Sequence, residues 1–229
     1  PEYSICGRRY IGKIQNEEHR QNYLYRYLRG NTIGLTNDIR VGDNMFEDVN
    51  KDGKLDYNDY VYLGSDDPKI SFSFNGGIEW NNFDLSVVFQ GVAQRTIFRT
   101  GSNNGNETWR IPMKATYLNT STPENPNAHY PTYSNNETIN AYNYQASSWA
   151  VENGTYVRLK NVTLGYTFPQ EILAKTKVIS SARLYVTGAD LWEFSKINDG
   201  WDPEASKNVS GTGRYPFVRT VTFGLNVAF

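Results

Sequence analysis

The chain has 229 residues, a net charge of −1, a pI of about 6.2 and 38% hydrophobic content. That length suits one large domain or two small ones, and with near-neutral charge no basic face points to nucleic acid. Mean hydropathy is −0.62 and no run approaches the ~20 apolar residues of a membrane helix. Barrel strands, by contrast, alternate side chains toward lipid and lumen and so average out as polar. The one cysteine, Cys6, excludes an intrachain disulfide. Pro1 opens the chain without a signal peptide, as a mature protein or a fragment does. Aromatic content is 14%, led by 17 tyrosines, a bias that suits membrane-interface girdles, sugar-stacking surfaces or a Tyr-rich soluble sandwich.

Alternation of apolar and polar residues predicts five strands, with a sixth at the start over Tyr3 to Gly12. Lys69 to Trp80 places Phe72, Phe74, Ile78 and Trp80 on one face. After an Asn81-Asn82 turn, Phe83, Leu85, Val87 and Phe89 continue the pattern as a hairpin. Tyr156 to Phe168 sets Val162, Leu164, Tyr166 and Phe168 on one side. Its first half, Val157 and Leu159, has the opposite phase, which predicts a bulge near Lys160-Asn161. Ala182 to Phe194 follows with Leu184 and Val186 outward. Val218 to Phe229 closes the chain with Val221, Phe223, Leu225, Val227 and Phe229 on one face.

The connections come in two kinds, in strict alternation. Short ones span Asn81-Asn82 and Pro169 to Ser181, where Gln170 to Thr176 suits a helical turn; long ones span about residues 15–68, 100–154 and 195–217. A transmembrane barrel has short periplasmic turns and long extracellular loops, which would put the last residue at the periplasmic rim. Six strands fall below the eight of the smallest such barrels, and an open sheet in lipid leaves costly unpaired backbone groups at both edges. The expected fold is therefore all-β: residues 1–229 as an antiparallel transmembrane β-barrel segment, about six strands of a larger barrel. The alternative is a soluble β-sandwich.

Gly42-Asp43, Asp48 through Asp56, Leu63-Gly64, Pro68 and Phe89-Gln90-Gly91 follow one another at characteristic spacing. So do Tyr156 through Tyr166, Gly188-Ala189-Asp190-Leu191, Gly200-Trp201-Asp202-Pro203-Glu204, Tyr215-Pro216 and Phe229. This order resembles the C-terminal part of SusC/RagA-type TonB-linked outer-membrane transporters, and Tyr10 to Glu18 resembles the segment that precedes their acidic loop. The resemblance implies a barrel of about 22 strands, an outer-membrane location, an N-terminal plug, contact with TonB and a SusD-like surface lipoprotein. It also implies import of a glycan or peptide ligand. The family often has Asn where Asp190 stands.

Asp48, Asn50, Asp52, Lys54, Asp56 and Asp59 occupy positions 1, 3, 5, 7, 9 and 12 of an EF-hand-type loop, with Gly53 at 6. Oxygen ligands suit a hard cation, so a structural Ca²⁺ is expected; Asp at 12 has shorter bidentate reach than Glu. The competing reading is a solvated acidic turn. Trp109, Trp149, Tyr130 and Tyr133, with Tyr117, Tyr142 and Tyr144, lie in the second long connection among Asn and Thr. Such rings can stack on sugar or peptide ligands, or they pack the loop on itself. Trp201-Asp202-Pro203-Glu204 reads as structural, with Pro203 fixing a turn and Asp202 capping local amides.

An enzyme is not expected. The two histidines, His19 and His129, lack a nucleophile signature, and no phosphate loop, Gly-x-Ser-x-Gly or zinc spacing occurs. The two surviving hypotheses are a wall segment of an outer-membrane importer and a soluble carbohydrate-binding sandwich with a calcium loop.

Overall fold

The computed structural model describes residues 4–27, 38–98, 118–197, 202–204 and 218–229. Two compact units divide the chain: of the described residues, those within 4–66 and 96–152 belong to the first, and those within 67–95, 153–204 and 218–229 to the second.

The first unit is built from short elements. The expected single strand over Tyr3 to Gly12 is two: β1 (Ser4–Gly7) and β2 (Tyr10–Lys13), followed by α1 (Glu17–Tyr27), β3 (Asn44–Phe46) and β4 (Val61–Ser65). Further along lie β7 (Thr96–Phe98), α2 (Glu137–Asn143) and β8 (Val151–Asn153). β1 pairs with β4 and β2 with β3, both antiparallel, so the chain changes partner within Arg8-Arg9. Asn136 caps α2 by accepting from the Thr138 and Ile139 amides, satisfying donors that a helix start leaves free.

Ile14, Tyr23, Ile39, Met45, Phe46, Leu55, Ile139 and Tyr142 close a single core. Several polar groups beside it are paired, as burial favours, although Asn44 Oδ1 is buried with no hydrogen-bond partner. The Tyr23 and Tyr142 hydroxyls are 2.7 Å apart, and the Phe46 amide donates to the Tyr23 hydroxyl at 2.9 Å. The Asn44 amide donates to Asn143 Oδ1, Asn44 Nδ2 to the Asn143 carbonyl and Asn143 Nδ2 to Asp43 Oδ1, each at 2.9 Å. This ties β3 to the end of α2. Burial pushes the Asp43 carboxyl above the usual carboxylate range and the Tyr142 hydroxyl well above the usual phenol range.

The second unit is one antiparallel sheet in the order β11-β10-β9-β6-β5. Its strands are β5 (Ile70–Trp80), β6 (Phe83–Ala93), β9 (Tyr156–Thr167), β10 (Ser181–Ser195) and β11 (Thr220–Ala228). These match the five strands expected from alternation. β5 and β6 turn at Asn81-Asn82, with Asn81 at φ 54°. The β9–β10 connection holds the short helix α3 (Gln170–Leu173) and a 3-10 turn at Ala174–Thr176. The bulge expected near Lys160-Asn161 is present: Val88 pairs with Asn161 and Phe89 with Leu159, leaving Lys160 over. On β10 the matching irregularity lies between Ala189 and Trp192, with Asp190 at φ 55°. A left-handed residue there favours Asn or Asp over other side chains.

Register places the apolar residues in rows across all five strands. One row is Trp80, Phe83, Tyr166, Leu184, Leu225; the next is Ile78, Leu85, Leu164, Val186, Phe223; a third is Gly76, Val87, Val162, Gly188, Val221. The bulge resets the phase, so that Leu159 and Trp192, then Val157 and Phe194, continue the same face. The opposite face carries Ser73, Asn75, Asp84, Ser86, Thr163, Thr187, Arg183 and Thr222.

Candidate functional site

The apolar face of the sheet stands open. Phe74, Ile78, Trp80, Leu184, Phe194, Phe223 and Leu225 are each exposed by half or more. A water-soluble domain rarely leaves so large a contiguous apolar surface. The soluble-sandwich alternative required this face to be packed as a dry core, and among the described residues the five strands form a single sheet with that face uncovered.

Aromatic rings concentrate at its two ends. Trp80, Phe83, Tyr166 and Phe168 cluster at the short-turn end, with Phe83 and Tyr166 ring centroids 4.8 Å apart and Tyr166 and Phe168 5.2 Å apart. Phe72, Trp192 and Phe194 lie at the other end. The two levels are eight residues apart on β6, from Phe83 to Gly91. At about 3.4 Å per residue and a tilt of about 40° this corresponds to a height of roughly 20 Å, close to the ~25 Å apolar band between aromatic girdles of outer-membrane barrels. No helix among the described residues is long and apolar enough to cross a membrane.

The polar face is organised by charge. Arg183 Nε donates to Asp84 Oδ1 at 2.9 Å and Nη2 to Oδ2 at 2.5 Å, with the guanidinium 5.2 Å over the Tyr185 ring. This pair lies across Gly165, where a Cβ would collide with both side chains. With Glu79, Asn81 and Asn82 it borders a cavity of about 490 Å³ at the short-turn end. Toward the other end, Arg158 is 1% exposed and meets Glu193, Asp202 and Glu204. Sequence reasoning read Asp202 only as a local cap. That cap exists, the Glu204 amide donating to Asp202 Oδ1 at 2.9 Å, but Arg158 as its partner was missed. The only sequence signal was that Arg158 and Glu193 share the polar phase.

In the first unit, the acidic loop folds back on itself. The Asp52 and Gly53 amides donate to Asp48 Oδ1 and Oδ2 at 3.2 and 2.8 Å. The Lys54 amide donates to Asp52 Oδ1 at 2.9 Å, and Gly53 turns at φ +80°. Asp48, Asn50, Asp52 and Lys54 are thus brought together. Asp56 and Asp59 form a reciprocal capping box on the 3-10 turn Tyr57–Asp59. Asp59 accepts from the Val49 amide on Oδ1 and the Asp56 amide on Oδ2, both at 2.9 Å, with Arg8 Nη1 4.0 Å from Oδ2. Among the described residues no group of three or more His, Cys, Asp or Glu is arranged to hold a metal ion.

Of the aromatic residues singled out as ligand contacts, Trp109 and Tyr117 lie outside the described residues. Tyr130 and Trp149 come together with His129 and Tyr144. His129 stacks on Trp149 at 5.3 Å, and Tyr130 and Tyr144 meet Trp149 edge-on at 6.0 and 5.5 Å. Trp149 Nε1 donates to the His129 carbonyl at 3.2 Å, so the cluster is packed on itself and internally bonded. Tyr133 is exposed, while Tyr142 belongs to the core. His129 was not anticipated here. Beneath the cluster Lys13 Nζ, buried, donates to the carbonyls of Ala128, His129 (2.8 Å) and Tyr130 (2.9 Å), and burial pushes its pKa down to about 8.

No family model matches the chain. It is 31% identical over 235 residues to TonB-dependent receptor P3 of Formosa agariphila, a match covering 96% of this chain and 22% of the receptor. To TonB-dependent receptor SusC of Bacteroides thetaiotaomicron it is 25% identical over 191 residues, covering 82% of this chain and 18% of that receptor. Among solved structures the RagAB peptide transporter superposes with a TM-score of 0.70 at 20% identity, over 99% of this chain and 22% of that one, which shows a shared fold. The chain spans about a fifth of the length of the relatives it matches. Over most of its length the chain thus matches one part of the TonB-dependent receptors of the bacterial outer membrane, SusC among them, and its single sheet with one open apolar face agrees with that match.

Proposed function

We propose that this chain supplies wall strands and outer-mouth loops of a TonB-dependent importer that takes up glycans or peptides, with no catalytic step of its own. The two-faced sheet carries this reading: lipid on the apolar face and a water-filled passage on the polar one. Long connections on the outside would meet a SusD-like lipoprotein, and a plug and TonB would act on the remainder of the receptor. The RagAB neighbours are named as a peptide importer, while the aromatic and amide side chains around Trp149 and Tyr133 suit sugars as well as peptides. Calcium at Asp48, Asn50, Asp52, Lys54, Asp56 and Asp59 is part of the proposal as a structural ion; Gly53 and the Asp48 carboxylate have the turn geometry it needs, and Asp56 and Asp59 would have to leave their caps.

The test is uptake by cells carrying or lacking the intact receptor, with labelled oligosaccharide and peptide pools. Loss of one pool's uptake on deletion, restored by complementation, supports import and assigns the ligand class. Unchanged uptake of both pools refutes the proposal.

A further inference from the structure

The segment Asp202–Glu204 does not run free of the sheet. Asp202 Oδ1 accepts from Arg158 Nη2 at 2.7 Å. Glu204 Oε2 accepts from Arg158 Nη1 and from Lys160 Nζ, the latter at 2.7 Å. Glu204 Oε1 accepts from the Tyr156 hydroxyl at 2.9 Å, and the Pro203 carbonyl accepts from Arg95 Nη1 at 2.5 Å. Pro203 itself is fully buried. Three residues are therefore sewn to four side chains that lie 44 to 48 positions away on β9 or 108 away beyond the end of β6.

The direction of this tether follows from register. Arg158 pairs with Gln90 on one side and Glu193 on the other, on the face opposite Leu159, Val157 and Trp192. The segment thus lies over the polar face, at the end where the long connections leave the sheet. Glu193 completes the shell around the guanidinium, and Lys160, the bulged residue, also faces Asp190 at 3.5 Å. The bulge is what brings Lys160 to the same cluster as Arg158. A buried guanidinium is stable only when its donors are met by carboxylates or carbonyls, so lifting the segment off would take Asp202 and Glu204 away from Arg158.

We propose that Arg158 staples Asp202–Glu204 onto the polar face of the sheet, and that this staple is a positioning element that sets the shape of the passage at its long-connection end. The second half rests on the import reading; the first does not. Lysine at 158 would keep the charge but lose the fork that spans Asp202, Glu204 and Glu193.

The experiment uses the intact receptor with Glu204→Gln, Asp202→Asn with Glu204→Gln, and Arg158→Lys. The first two leave the buried arginine and Glu193 in place and so keep the protein assembled if Arg158 variants fail to fold. Hydrogen exchange of the peptide containing residues 202 and 204 is expected to quicken at least tenfold in the double variant; exchange equal to wild type would overturn the staple. Uptake by the same variants, at equal surface level, is expected to show KM raised several-fold with the maximal rate kept, a split that a fold-wide defect would not give. An unchanged KM with faster exchange would overturn the positioning role. A wild-type receptor that imports neither pool would remove the import reading, and with it that role, while the exchange result judges the staple by itself.

Discussion

Arginine placed along β11 measures how deep each position sits in lipid. Val221 lies in the row of Val87 and Val162, four residues from the Phe83 level and four from the Gly91 level, so it falls at the middle of the apolar band. It is 56% exposed, and in water an arginine there would change stability by less than about 0.5 kcal/mol. At a bilayer midplane the same change costs about 2–4 kcal/mol, falling to about 0–1 near the interfaces. Leu225 shares the row of Trp80 and Phe83. Four residues from Val221, it lies about 10 Å closer to the interface at a tilt near 45°. The expected order of loss is Val221→Arg, then Phe223→Arg, then Leu225→Arg, with Thr222→Arg on the polar face near zero. Urea titration of the intact receptor refolded into lipid vesicles reads this directly, the midplane variant losing roughly 30- to 800-fold in folding equilibrium. Equal effects at Val221 and Thr222, or no gradient from 221 to 225, would refute the assignment of faces.

Three further outcomes follow from particular side chains. Lys13, buried, titrates near 8 against about 10.4 when unfolded; between these pH values the folded state binds fewer protons, so stability of the first unit rises with pH by up to about 3 kcal/mol. The protection factor of the Tyr130 amide, which donates to the Asn119 carbonyl at 2.9 Å, corrected for the intrinsic rise of exchange with pH, should grow over that range in wild type and not in Lys13→Met; a flat wild-type protection factor would count against it. Gly165→Val should cost about 1–3 kcal/mol by overpacking against the Asp84–Arg183 pair, with part of the loss recovered in Asp84→Ala; full tolerance would contradict the close approach. Calorimetry with calcium on wild type and Asp52→Ala should give heat only for wild type, and identical flat traces would remove the ion from the acidic loop.

The sheet was legible because each wall strand serves two solvents. Period-two alternation on β5, β6, β10 and β11 leaves no other reading of which residues share a face, and the change of phase along β9 marks the bulge near Lys160-Asn161 in the sequence itself. The first unit was far less legible. Its strands have three to five residues, and β3 is buried at every position, so no alternation exists to be read; Tyr3 to Gly12 looked like one strand because the partner change at Arg8-Arg9 leaves no mark in hydropathy. The stretches expected as long loops carry a core whose members, Tyr23, Phe46 and Tyr142, are brought together across more than a hundred positions. The Arg158 cluster was hidden for the same reason. Charged residues 35 and 44 positions apart become neighbours only once the register of β9 against β10 is set.

Spin labels placed singly at residues 220 to 228 of the intact receptor in bilayers test the central claim most directly, through collision with lipid-soluble oxygen and a water-soluble nickel chelate. Labels at 221, 223 and 225 should favour oxygen, and labels at 220, 222 and 226 the chelate, in strict alternation. Low access to both probes at 221, 223 and 225, as in a dry core beneath a second sheet, would contradict the membrane wall.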